Sequence, residues 1–191
     1  MGFFDRFKKQ NQAPEAPPVP EVEPRPFGAN VVEIAKLISS GDEAVMTDIA
    51  ACTGEPSAWF EAHQDRYEAR GVNSAEDANL VQWLGLVDIL EEHGWVCERD
   101  WKDEVEDFSY FVQHLHGFQQ LGLELDPDWL DEDEDISAWC GVLAEQWSAQ
   151  GVRMAVIGIG SDSYVLFPAS VGQLTALQTL AKEIGQYIQD V

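Results

Sequence analysis

Gly158-Ile159-Gly160-Ser161-Asp162-Ser163-Tyr164 sets small, hydroxylic and acidic residues between two apolar runs. A serine among glycines invites comparison with the nucleophile elbow, G-x-S-x-G on a sharp strand-to-helix turn. Here Gly160 directly precedes Ser161, Asp162-Ser163 follows, and the next run, Tyr164–Phe167, reads as a strand. The dinucleotide fingerprint G-x-G-x-x-G fails as well, because position 163 is Ser. Without the elbow, Asp162 and Ser163 are expected to be turn residues that, with Tyr164 at the start of the strand, form the edge of a binding surface.

Asp131-x-Asp133-x-Asp135 imitates the opening ligands of an EF-hand within the acidic run Glu124–Asp135. Ile136 then stands where the loop needs Gly, and Val142 where it needs a bidentate Glu. The run is expected to be a solvated charge cluster that favours the start of the following helix. His114-x-His116 on a helix would point its two rings to different sides, and Cys97, Cys140 and His114 have no zinc spacing. No metal or cofactor is expected. The three cysteines, Cys52, Cys97 and Cys140, are odd in number and far apart, and read as free core thiols in a reducing cytoplasm.

Charge indicates the kind of partner. The net charge is −24. Residues 1–26 balance at 4 − 4 = 0, so residues 27–191 carry 7 − 31 = −24. Such a field repels nucleic-acid phosphate and anionic membranes and attracts basic proteins. Trp101 and Trp129 lie beside carboxylates, Asp100 among them, and suit a face that receives Lys or Arg by ion pairing and aromatic stacking. The expected binding residues are therefore Asp100, Trp101, Trp129, Asp162, Ser163 and Tyr164. The expected function is a non-enzymatic module engaging a basic partner. The alternative is a small hydrolase or transferase with a site near the 158–164 turn.

The elements that must position these residues follow from periodicity. Residues 1–11 are expected to form a short amphipathic segment, with Phe3, Phe4 and Phe7 beside Arg6, Lys8 and Lys9, suited to weak contact with an anionic membrane or a partner groove. Residues 12–26 are a Pro-rich spacer. Residues 27–191 read as one α+β domain of about seven helices on a small, mostly antiparallel sheet of about three strands. Asn30 is expected to cap the first helix, Asp42 to open the second, and Pro56 to begin a third that ends at Gly71. Ser74 and Asp77 resemble a capping box before a helix with Leu80, Trp83, Leu84, Val87 and Leu90 inward, ended by His93-Gly94. Residues 95–98 are the third strand. One helix then carries Val105, Phe108, Phe111, Val112, Leu115 and Phe118 inward, and another Ile136, Trp139, Cys140, Leu143 and Trp147. Gly151–Phe167 is a buried hairpin broken by Pro168, and a last helix runs from Ser170 through Ile188. No apolar run approaches the roughly 18 residues that would cross a bilayer.

Asp100-Trp101-Lys102 before an apolar helix, and Gly160-Ser161-Asp162-Ser163-Tyr164-Val165-Leu166-Phe167 after an apolar strand, resemble an uncharacterised bacterial domain family of unknown function. No activity or catalytic residue comes with that resemblance. A looser likeness is to SUKH-type immunity proteins, acidic α+β modules that neutralise toxins, and it implies partner binding.

Overall fold

Two apolar runs joined by a Gly/Ser-rich turn pair as the centre of the sheet. In the computed structural model, which describes residues 26–191, β2 (Val152–Ile157) and β3 (Tyr164–Ser170) are antiparallel, with Val156 opposite Leu166. β1 (Cys97–Arg99) pairs with the outer side of β3, and β4 (Ile188–Asp190) with the outer side of β2. The order is β1-β3-β2-β4, with every pairing antiparallel. The expected amphipathic segment and spacer lie outside the described residues.

Strand periodicity divides the interior in two. Ala155, Ile157, Val165, Phe167, Ala169 and Ile188 face one helical layer: α1 (Phe27–Ile38), α2 (Glu43–Gly54), α5 (Ala78–Glu92) and α9 (Val171–Glu183). Cys97, Val152, Met154, Val156 and Leu166 face the other: α6 (Val105–His114), α7 (His116–Gln120) and α8 (Ile136–Gln146). Two short helices, α3 (Pro56–Ala62) and α4 (Gln64–Ala69), close the outer side of α5 through Phe60 and Tyr67. Residues 81–90 of α5 are therefore buried on every side. Its two polar residues in that run are Gln82 and Asp88, and Arg70 reaches Asp88 from just beyond α4.

The α+β class holds, with a fourth strand added. Several boundaries move for identifiable reasons. Asn30 does not cap α1, which begins three residues earlier; it is buried and donates to Leu180 O and Glu183 Oε2, tying α1 to α9. Asp77, not Ser74, caps α5, accepting from Asn79 N and Leu80 N. The helix expected after Pro56 is interrupted at His63. The helix expected over 105–118 breaks at Leu115, whose φ of −65° and ψ of 134° are extended. Tertiary contacts impose that break. His116 N bonds Gly94 O, and Gly117 packs against Pro168, where a Cβ would sit 3.3 Å from the ring. α6 turns Val105, Phe108 and Val112 inward and leaves Phe111 exposed rather than core, with the Arg99 guanidinium 3.9 Å above its ring.

β3 does not stop at Pro168. It continues to Ser170, because β1 pairs only with Tyr164–Leu166 and asks nothing of the proline's missing N–H. α9 ends at Glu183, and Gly185, at φ +72°, turns the chain into β4. Ile188 is thus a strand residue. No helix among the described residues is long and apolar enough to cross a membrane.

Candidate functional site

The β2–β3 turn and the chain after β1 meet at one corner of the sheet. A groove of about 580 Å³ opens there. Its floor is Val156 and Tyr164, its walls are Trp101 and Tyr187, and its rim is Ser161, Asp162 and Ser163. Val156 and Tyr164 belong to the face covered elsewhere by α6 and α8, so the groove lies where that cover runs out.

Gly158 anchors the corner. Its carbonyl accepts from Trp83 Nε1 at 2.8 Å and its N–H donates to Tyr187 O at 3.1 Å. The Tyr187 ring fills the space a side chain at 158 would need. The turn itself is held by Ser161, whose Oγ accepts from Ser163 N at 3.2 Å, and by Gly160 at φ +76°. Asp162 is exposed, and its carboxylate takes no hydrogen bond among the described residues.

Trp101 is held out by its own turn. Arg99 forms a two-point pair with Asp103, both bonds 2.6 Å, and Asp100 Oδ1 accepts from Lys102 N at 2.9 Å. The indole is 50% exposed, enough to offer a face to a ligand. Lys102 Nζ already lies 4.7 Å from that ring's centroid. On the other side of Trp101 is a second concavity, of about 720 Å³, lined by Lys102 and by the carboxylates of residues 103, 104, 106 and 132–135.

Of the residues expected to bind, Trp101, Asp162, Ser163 and Tyr164 come together at the groove. Asp100 shapes the turn beside it. Trp129 is elsewhere: it ends a short 3-10 turn (Pro127–Trp129) and is partly buried against the second core. Tyr187 and Gln189 line the groove and are absent from the sequence reading, because residues 184–188 continue the apolar spacing of α9. Gly185 is the signal that would have found them.

Residues 30–191 match the family described as a domain of unknown function, DUF6630. The chain belongs to this family. Both stretches that carry the resemblance, Asp100–Lys102 and Gly160–Phe167, fall inside the match. No curated protein and no solved structure matches.

The acidic run of this DUF6630 domain is tied down from beneath and engaged with its own backbone. Trp139 Nε1 donates to Asp131 O at 2.7 Å and Trp147 Nε1 to Glu124 O at 2.8 Å. Asp126 and Asp131 accept from Asp128 N and Asp133 N, and Asp135 caps α8 by accepting from Ala138 N. Among the described residues no three His, Cys, Asp or Glu converge as a metal cage would. His114 Nδ1 lies on Tyr110 O, while the His116 ring packs tilted against Trp95, its centroid 5.2 Å away. Burial pushes the Cys52 and Cys97 thiols up to about 12, and raises Cys140 further. No histidine or cysteine lines the groove beside Asp162 or Ser163.

Proposed function

We propose that this protein is a non-enzymatic binding module, immunity- or adaptor-like, which engages a basic protein surface at Trp101. The observation that carries this reading is the position of that indole. It is the shared wall between an aromatic groove and an acidic concavity, and it already carries an ammonium group. Long-range attraction from the −24 charge would bring a basic partner in, and docking of Lys, Arg and apolar groups against Trp101, Tyr164 and Tyr187 would hold it. The same charge disfavours nucleic acid. The proposed setting is the bacterial cytoplasm.

The test is a titration of an arginine-rich peptide into the full chain, followed by calorimetry so that the parent and Trp101→Ala are read by one signal. Affinity should fall as salt rises, because contacts at this rim are open to screening. Trp101→Ala should weaken binding roughly 2- to 30-fold, the equivalent of a cation–π contact of about 0.5–2 kcal/mol. Affinity that is equal at low and high salt, or indifferent to Trp101→Ala, would overturn the reading.

A further inference from the structure

The folded domain and the first ten residues are of opposite charge. Residues 27–191 carry 7 − 31 = −24, whereas residues 1–10 hold Arg6, Lys8 and Lys9 against Asp5. Most cations of the domain are engaged at home: Arg66 with Glu92, Arg70 with Asp88 and Glu98, Arg99 with Asp103, and Lys102 on Trp101. Among the described residues, Glu104, Glu106, Glu132 and Glu134 beside Trp101 form no ion pair.

Resting on the binding reading of this corner, we propose that residues 1–10 of the same chain are the groove's resting occupant, which a basic partner must displace. Phe3, Phe4 and Phe7 supply apolar rings for the wall of Trp101, Tyr164 and Tyr187. Arg6, Lys8 and Lys9 supply the charge that the neighbouring carboxylates lack. The tether is long enough. Residues 11–25 include five prolines, Pro14, Pro17, Pro18, Pro20 and Pro24, and a chain of that length would reach about 46 Å at ~3.1 Å per residue of extended polyproline. Pro26 lies beside Gln82 of α5, and the neighbouring Trp83 donates to Gly158 O at the groove, so the distance from Pro26 to the groove is well inside that reach. A tether that spans the two sites makes the contact intramolecular, so it fills at a weaker intrinsic affinity than a free peptide would need.

The experiment uses the full chain carrying Gln10→Cys with a nitroxide label. The three native cysteines are buried, so the label goes to position 10. The readout is the indole N–H signal of Trp101, against those of Trp95 and Trp147, buried in the two layers at the end of the hairpin away from its turn. The expected result is loss of the Trp101 signal with Trp95 and Trp147 retained, and recovery of Trp101 in Arg6→Glu/Lys8→Glu/Lys9→Glu. That variant should also bind the arginine-rich peptide several-fold more tightly, because its arm no longer competes. Equal broadening of all three indoles, or none, overturns the proposal. So does broadening that appears when labelled chain is mixed with unmodified isotope-labelled chain, which would assign the groove to a second copy's arm. Recruitment of the arm to anionic vesicles with Trp101 unaffected overturns it too. If the arm leaves Trp101 untouched and the peptide still binds there in a salt-dependent way, the arm proposal falls and the binding reading stands. If the peptide fails as well, both fall.

Discussion

The ring of Tyr187 occupies the space in which residue 158 would carry a side chain: a Cβ built on Gly158 falls 1.9 Å from Cζ and 2.2 Å from Cε1. The same glycine joins α5 to the sheet through Trp83 and joins β2 to β4 through Tyr187 O. Gly158→Ala must therefore expel the ring or shift the strand. The expected loss is about 1–3 kcal/mol, typical of overpacking. Tyr187→Ala alone should lose less, since the ring is 52% exposed. The double variant should regain most of the Gly158→Ala loss, because the clash is then gone. Urea unfolding of the three variants checks this, and simple additivity would contradict the contact.

Arg70 lies between two carboxylates, 2.7 Å from Asp88 Oδ1 and 2.7 Å from Glu98 Oε2. It joins the end of α4 to α5 and β1. The side chains of Asp88 and Glu98 are 9% and 21% exposed, so removing the cation leaves charge that water reaches poorly. Arg70→Met should cost about 3 kcal/mol, as expected when one partner of a buried pair is removed. Arg66 pairs with Glu92 at the same distance, but those side chains are 43% and 56% exposed. Arg66→Met should cost below about 1 kcal/mol. Equal costs for the two would show that burial does not govern this cluster.

What the sequence reveals and what it hides divide along local and non-local forces. The hairpin is legible because Gly158, Gly160 and Ser161 separate two apolar runs, and α8 because Ile136, Trp139, Cys140 and Leu143 keep helical spacing. The break at Leu115 is not, since its cause is a bond from His116 N to Gly94 O, distant in sequence. β4 is hidden because Ile184 and Ile188 are four apart and extend the stripe of α9, while only Gly185 marks the change of conformation. The site shows the same division. Trp101 and Asp162 can be picked out as polar or aromatic residues in turns. Trp129 has the same local credentials, yet the loop around it is pulled inward by Trp139 and Trp147, and no local pattern announces that.

Alkaline pH should destabilise the fold. Burial pushes Cys52 and Cys97 up to about 12 from 9.0. Burial likewise raises Tyr67, whose hydroxyl donates to Val81 O at 2.9 Å. Between pH 9 and about 12 the unfolded chain releases thiol protons that the folded chain keeps. The folded state then binds more protons, so stability falls as pH rises through that window and is fully present below it. Each group contributes up to about 1.4 kcal/mol per pH unit where only the unfolded form ionises. The urea midpoint should decline from pH 9 to 11, and Cys97→Ala should shallow that decline. A midpoint flat over this range would show that the thiols ionise in the folded chain.

Trp101 and Trp139 should separate binding from stability. Trp139 is 1% exposed, packs against Phe108 and donates to Asp131 O at 2.7 Å. Trp139→Ala should cost about 3–5 kcal/mol from the cavity alone. It would also release the acidic loop, since Asp131 O loses its donor. Trp101 is half exposed and makes no hydrogen bond through its indole among the described residues. Trp101→Ala should stay within about 0.5 kcal/mol of the parent, while the acidic concavity it borders keeps its charge. Thermal unfolding and peptide titration on the two variants give opposite orders if Trp101 is held out for a ligand. Were Trp101→Ala to unfold the protein as readily as Trp139→Ala, its exposure would reflect a structural role at the β1–α6 turn, and the proposed binding would lose the residue on which it rests.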